Sequence, residues 1–454
     1  MANDTPGRPT AAPFCSASDA FKDGSDTPRK FLERCLERLE AWEPAIGAYV
    51  TTDVAGARAA ADASSERWRA GRPLSTIDGM PVGIKDIIDT FDLPTQMGSP
   101  IFDGWQAGRN AASVLALCDA GAVVVGKTVT TEFAATEPRG TRNPWDTTRT
   151  PGGSSSGSAA AVATGSVSAA LGTQVIGSIV RPASYCGCVG FKPTVGAINR
   201  GGSHDYLSQS ATGVLAASLT DAWQVMIEMA VRVGGDPGFE GLFGPLKMPA
   251  PKKPARVAVL ETAGWAVATD AAKAVLHDAA ERLARQGLAV VTRRTDPRVE
   301  AVEQGIVDAW PLSNRINAFE SIWPYKDYRA RDAEKLSQSC RDRLDEAATI
   351  GLDGYRAALA ERNRVRALYT ALAADCDACI ALPAPSAAPV GLRPTGNPIC
   401  VVPGSLLGVP ALSVPLFQEA GLPMGLQVLG FVDGDADSFA ISAWLSDALG
   451  HADA

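Results

Sequence analysis

Histidine is scarce: His204, His277 and His451 are the only three in 454 residues. His277 falls in a helix-like run, Asp270 to Arg285, and His451 in the tail. His204 follows Gly201-Gly202-Ser203, and no acidic partner pattern marks it. A catalytic triad is defined by geometry, so sequence does not exclude a histidine base, but a chain this poor in imidazole points to another one. Long apolar runs are also missing. No stretch reaches the roughly 18 apolar residues of a membrane span, so no membrane partner is expected. The start, Met1 to Phe14, is polar and proline-rich, without the basic-then-apolar order of a secretory signal; a cytoplasmic location is expected. Lysine and arginine form no block and the net charge is −8, from which no nucleic acid is expected as a direct ligand. Aromatics are sparse at 6%, and the chain shows no internal repeat.

Cysteines number nine, an odd count, and most stand alone in apolar surroundings, as Cys35, Cys118 and Cys400 do. That suits buried free thiols in a reducing compartment. Cys186-x-Cys188 and Cys376-x-x-Cys379 have ligand-like spacing, yet Cys379 opens a strand-like run, Cys379-Ile380-Ala381-Leu382. No histidine accompanies either pair. All are read as structural thiols, with no metal and no organic cofactor.

One formal motif is read as a decoy. Gly121-Ala122-Val123-Val124-Val125-Gly126-Lys127-Thr128 matches the phosphate-loop pattern at every fixed position. That chemistry needs a strand before the first glycine and open amides after it. Here Ala111 to Ala120 reads as a helix, and three consecutive valines favour a strand over an anion nest. A helix–turn–strand connection is expected.

The coarse pattern is α/β. Thr27-Pro28 reads as an N-cap with proline at the first helical position, and Phe31, Cys35, Leu39 and Trp42 then recur at helical spacing. A second helix is expected from Val54 to Ala70, and strands at Val82–Ile84 and Val123–Val125. A strand–helix–strand alternation follows between Val257 and Val291, with further strands at Ala411–Val414 and Gly425–Leu429. Such alternation predicts a central twisted mixed β-sheet covered by helices on both faces. Gly234 to Pro254, rich in glycine and proline, reads as a surface connection.

What the chain does have is a Gly-Ser loop, Gly152-Gly153-Ser154-Ser155-Ser156-Gly157-Ser158, running into an alanine-rich, helix-like segment. Gly172-Thr173-Gln174-Val175-Ile176-Gly177-Ser178 follows, and Lys85 stands in the apolar context Val82-Gly83-Ile84-Lys85-Asp86. A flexible linker is the plain reading of such a loop. Against it, the loop is short and feeds a helix start, where free amides and the positive dipole end suit an oxyanion.

These segments resemble the amidase signature family. The resemblance extends through Asn143-Pro144-Trp145-Asp146, Gly190-Phe191-Lys192-Pro193-Thr194 and Gly408-Val409-Pro410-Ala411-Leu412-Ser413-Val414-Pro415, leaving about 230–375 unanchored. It implies hydrolysis of an amide or carbamate (urethane) C–N bond through a serine acyl-enzyme, without cofactor. By position Ser178 matches the nucleophile, Ser154 the bridging serine after a cis peptide bond, and Lys85 the base, which must be neutral to accept a proton. The backbone amides of Val175, Ile176, Gly177 and Ser178 match the oxyanion hole.

The chain departs from the family at Ile176, usually glycine, at Gln174, usually aspartate, and at Arg181, one place later than the usual arginine. Arg181, before Pro182, is read as fixing local structure. Substrate-binding candidates are Phe133, Ser155, Ile176, Trp310 and Trp323, the last two within an aromatic stretch, Trp310 to Tyr328. An apolar or aromatic small-molecule amide or carbamate is therefore expected, acted on by a monomer or homodimer. The chain is read as a single domain over 1–454, with a poorly ordered tail at about 1–14 and a helical, aromatic insertion at about 305–350 near the active site. The alternative is the amidase-type subunit of a multi-subunit, tRNA-dependent amidotransferase with glutamine as nitrogen donor.

Overall fold

A computed structural model describes residues 5–135 and 137–450. Eleven strands form one mixed sheet: β1 (Tyr49–Thr52), β2 (Pro81–Lys85), β3 (Val123–Thr128), β4 (Ala169–Gln174), β5 (Val189–Lys192), β6 (Ala211–Ala216), β7 (Arg256–Leu260), β8 (Ala289–Val291), β9 (Ala378–Ala381), β10 (Ala411–Glu419) and β11 (Leu422–Leu429). Their order across the sheet is β1-β3-β2-β4-β6-β5-β10-β11-β9-β7-β8. Pairing is parallel within β3-β2-β4 and within β9-β7-β8, and antiparallel elsewhere. Helices flank the sheet, as a strand buried along its whole length requires: β2, β4, β5 and β6 are buried at every position.

The helix Pro28–Ile46 begins as its sequence dictates, with the Thr27 side chain accepting from Lys30 N and proline at the first turn. The helix Val54–Arg69 is capped by Asp53. The phosphate-loop match begins in the turn that follows the helix Ala112–Asp119, with Gly121 at φ +87°, and runs through β3. Its Lys127 is buried against Asp86 at 3.2 Å and donates to Thr95 Oγ1 at 2.7 Å, so it is not free to meet a phosphate.

Two sequence readings change. The alanine-rich run after Ser158 is helical only to Ala163; Gly165 turns at φ +70° and the chain returns as β4. Alanine and glycine make β4 a poor strand by propensity, and burial between β2 and β6 overrides that. The loose tail expected at 1–14 is also corrected: residues 1–4 lie outside the described residues, but Phe14 is fully buried, with its ring 5.2 Å from both Phe21 and Phe31. Aromatic packing offsets the entropy of ordering that segment. The unanchored middle, where a helical insertion is expected, holds the helices Pro297–Ile306, Ala309–Glu320, Ile322–Arg331 and Gln338–Thr370, the last broken at Gly351 where φ is +63°. No helix among the described residues is long and apolar enough to cross a membrane.

Candidate active site

Lys85 ends β2, with β3 and β4 parallel to it on either side. The side chain thus leaves the sheet at the carboxyl ends of three parallel strands, where open α/β sheets place their ligand crevices. The Gly-Ser loop arrives at the same end. Its Gly153–Ser154 peptide is cis. Thr131 N donates to Ser154 O at 3.2 Å and Ser155 N donates to Ser178 O at 3.3 Å, tying the loop to both neighbours. The helix that follows, Ser156–Ala163, is buried on every side, and a side chain at Gly157 would collide with the Ala48 carbonyl and the Val129 amide. Small residues are what allow the loop to lie this close to the sheet.

Lys85 is completely buried, and its Nζ lies 2.7 Å from Ser154 Oγ, 2.9 Å from Thr173 Oγ1 and 3.3 Å from Thr173 O. Burial pulls its pKa down to about 7, with Asp205 opposing the fall. A neutral amine has two N–H groups and one lone pair. The two oxygens of Thr173 take the N–H groups, which leaves the lone pair for the Ser154 O–H.

Ser154 and Ser178 line one cavity of about 310 Å³, together with Ala134, Val175, Ile176, Gly177, Arg181, Trp310 and the loop 394–398. Among the described residues no hydrogen bond occupies the amides of Ile176, Gly177 or Ser178. The next two amides, of Ile179 and Val180, are held by Gln174 Oε1 at 2.8 and 3.0 Å. The free amides therefore belong to the stretch that borders the cavity, the arrangement an oxyanion needs.

The substrate-binding candidates divide. Ile176 and Trp310 line the cavity. Phe133 stacks on Tyr328, with centroids 4.1 Å apart, and lines an adjoining chamber with Tyr325 and Asp205. Trp323 does not reach either space; it is 70% exposed and leans on Tyr206 at 5.9 Å. Ser155 is likewise corrected: fully buried behind the loop, it donates to Thr173 O at 3.4 Å and borders no part of the cavity. Helical spacing explains Trp323, since it lies on the face of Ile322–Arg331 opposite the buried Tyr325 and Tyr328.

Sequence reasoning missed three groups. Thr173 stands one residue before Gln174 in the segment that leads to Ser178, and that place is its only sequence signal. Thr395 and its neighbours reach the cavity from more than 200 residues away through a glycine- and proline-rich loop, with no local signal. Arg181 does more than fix local structure. Its Nη2 does brace the loop, donating to Gly153 O at 2.6 Å and Thr395 Oγ1 at 3.2 Å, but its Nε has no partner among the described residues. Among the described residues no carboxylate pairs with it, and burial lowers its pKa. A buried cation without a counter-charge is costly, and this one borders the cavity that holds Ser178.

The Amidase family model matches residues 30–436. A glutamyl-tRNA(Gln) amidotransferase subunit from Chloroflexus aggregans is 33% identical, covering 91% of this chain and 92% of the relative. The crystal structure of an amidase superposes with a TM-score of 0.83 at 27% identity, over 96% of this chain and 100% of that one. The glutamyl-tRNA(Gln) amidotransferase subunit of Thermotoga maritima superposes with a TM-score of 0.68 at 25% identity, over 92% and 91%. These relatives overturn the exclusion of nucleic acid that was drawn from charge. Their name carries a tRNA, and an acidic balance cannot decide the matter where another subunit can hold the RNA. With the family model matching most of its length and the sheet superposing on a solved amidase, the chain belongs to the amidase signature family, hydrolases that act on C–N bonds.

Proposed function

We propose that the chain cleaves a carboxamide C–N bond through an acyl-enzyme on Ser178, within one catalytic domain. The observation that carries this reading is the 2.7 Å contact between Lys85 Nζ and Ser154 Oγ at the wall of the Ser178 cavity. Neutral Lys85 takes the Ser154 proton as Ser154 takes that of Ser178, and Ser178 Oγ attacks the carbonyl carbon. The amides of Ile176, Gly177 and Ser178 receive the oxyanion, and Val175 borders it. Ser154 then returns a proton to the leaving amine, and water releases the acyl group by the same relay.

For the substrate, the unpaired charge of Arg181 supports an acyl group that carries its own carboxylate. Glutamine is such an amide. The relatives' names support the same choice, with the chain as an amidotransferase subunit that hands ammonia to an acylated tRNA held by partner subunits. This reading displaces the apolar small molecule as the first choice. A freestanding amidase or urethanase is the second reading, favoured by the apolar walls Val175, Ile176, Trp310, Pro394 and Pro398. The test is ammonia or amine release from glutamine, succinamate, benzamide and an aryl carbamate, by the chain alone and with candidate partner subunits, with Ser178→Ala alongside. Turnover of the two carboxylate-bearing amides, lost in the variant, supports the proposal. Turnover of benzamide or the carbamate alone shifts it to the second reading, and activity retained in Ser178→Ala sinks the mechanism.

A further inference from the structure

Gln174 is the last residue of β4, four places before Ser178, and is fully buried. Its amide is used at both ends. Oε1 accepts from Ile179 N at 2.8 Å and Val180 N at 3.0 Å, on the far side of Ser178. Nε2 donates to Ser405 Oγ at 3.1 Å, and Ser405 Oγ in turn donates to Ile176 O at 2.8 Å, on the near side. Ser405 is itself fully buried, in the helix Val402–Leu407.

We propose that Gln174 and Ser405 form a two-sided bracket whose job is to aim the oxyanion-binding amides, making both of them positioning residues for the reaction at Ser178. In a planar trans peptide the carbonyl and the following N–H point in opposite directions. Anchoring Ile176 O on Ser405 therefore fixes the direction of Gly177 N–H, which would otherwise turn with its peptide plane. The loop has little other room, since a side chain at Gly177 would collide with Val401. A neutral amide is the group the bracket needs. A carboxylate at this position would accept from Ile179 and Val180 equally well, but it has no proton to give Ser405. The Ser405 hydroxyl would then donate to the carboxylate and release Ile176 O.

That logic makes two different substitutions equivalent. Ser405→Ala removes the donor, and Gln174→Glu redirects it at almost unchanged volume. The inference rests on Ser178 as nucleophile, so labelling by a fluorophosphonate is measured first, then kcat, KM, inhibition by benzeneboronic acid as an oxyanion-forming adduct, and thermal melting. Each variant is expected to lose about 10- to 100-fold in kcat and a like factor in boronate affinity, with KM within about threefold. Ser405→Thr, which keeps the hydroxyl, is expected to restore both. The double variant should lose no more than either single one. A labelled, active wild type whose folded variants keep kcat and boronate affinity overturns the bracket alone, as does a loss that falls equally on KM. A wild type that takes no label overturns the nucleophile and the bracket together.

Discussion

Thr173 offers Lys85 both of its oxygens, the hydroxyl at 2.9 Å and the carbonyl at 3.3 Å from Nζ. The strand that delivers the oxyanion loop thus also orients the base. Thr173→Val keeps the shape and removes one acceptor. We expect kcat to fall about tenfold with little change in KM, because the amine can then rotate its lone pair away from Ser154. The hydroxyl also favours the ammonium form, so the midpoint of the pH profile should move down. Unchanged kcat and midpoint would show that Thr173 does not orient the base.

The two ends of the relay carry the largest effects. Ser178→Ala and Lys85→Ala should each lower kcat by at least about 10³-fold, as removal of a nucleophile or its base does. Steady-state rates on an amide turned over by the wild type check this.

Activity should depend on pH through Lys85. Burial holds its pKa near about 7, and the base works only when neutral. Activity is therefore lost as pH falls through that value and reaches a plateau above it. At pH 5 the rate should be roughly 100-fold below the plateau. A flat kcat/KM profile from pH 5 to 9 would rule out this lysine as the base.

Arg181 separates substrates. Arg181→Met leaves the cavity apolar and should raise KM for glutamine or succinamate by about 100-fold or more, the scale of a buried charge pair losing one partner. Benzamide should lose much less, only the share that Arg181 contributes by bracing Gly153. Equal losses on charged and uncharged amides would restrict Arg181 to bracing Gly153.

Asp435 tests the frame rather than the chemistry. It is buried, accepts from Thr194 N at 2.9 Å and Thr194 Oγ1 at 2.8 Å, and faces the buried Lys192, whose pKa burial lowers to about 7. Asp435→Ala should cost about 3 kcal/mol in urea unfolding, since it leaves Thr194 N without its acceptor and the buried Lys192 without its counter-charge. A loss within about 0.5 kcal/mol would mean that the site relaxes freely.

The sequence by itself determined the elements whose signals are local. Thr27-Pro28 set a helix start, three valines made β3 a strand despite a phosphate-loop spelling, and the Gly-Ser loop, Ser178 and Lys85 marked the chemistry. Each depends on residues within a few places of one another. Only the tertiary structure decided the rest. Strand β4 defied its own alanine and glycine, because burial between neighbours outweighs propensity. Trp310 reached the cavity while Trp323 did not, since a helix turns neighbouring aromatics to different faces. Thr395 and Ser405 joined the site from the far end of the chain. Arg181 shows the same limit: a guanidinium in a sequence is a charge of unknown fate, and only the packing around it shows that no carboxylate among the described residues answers it.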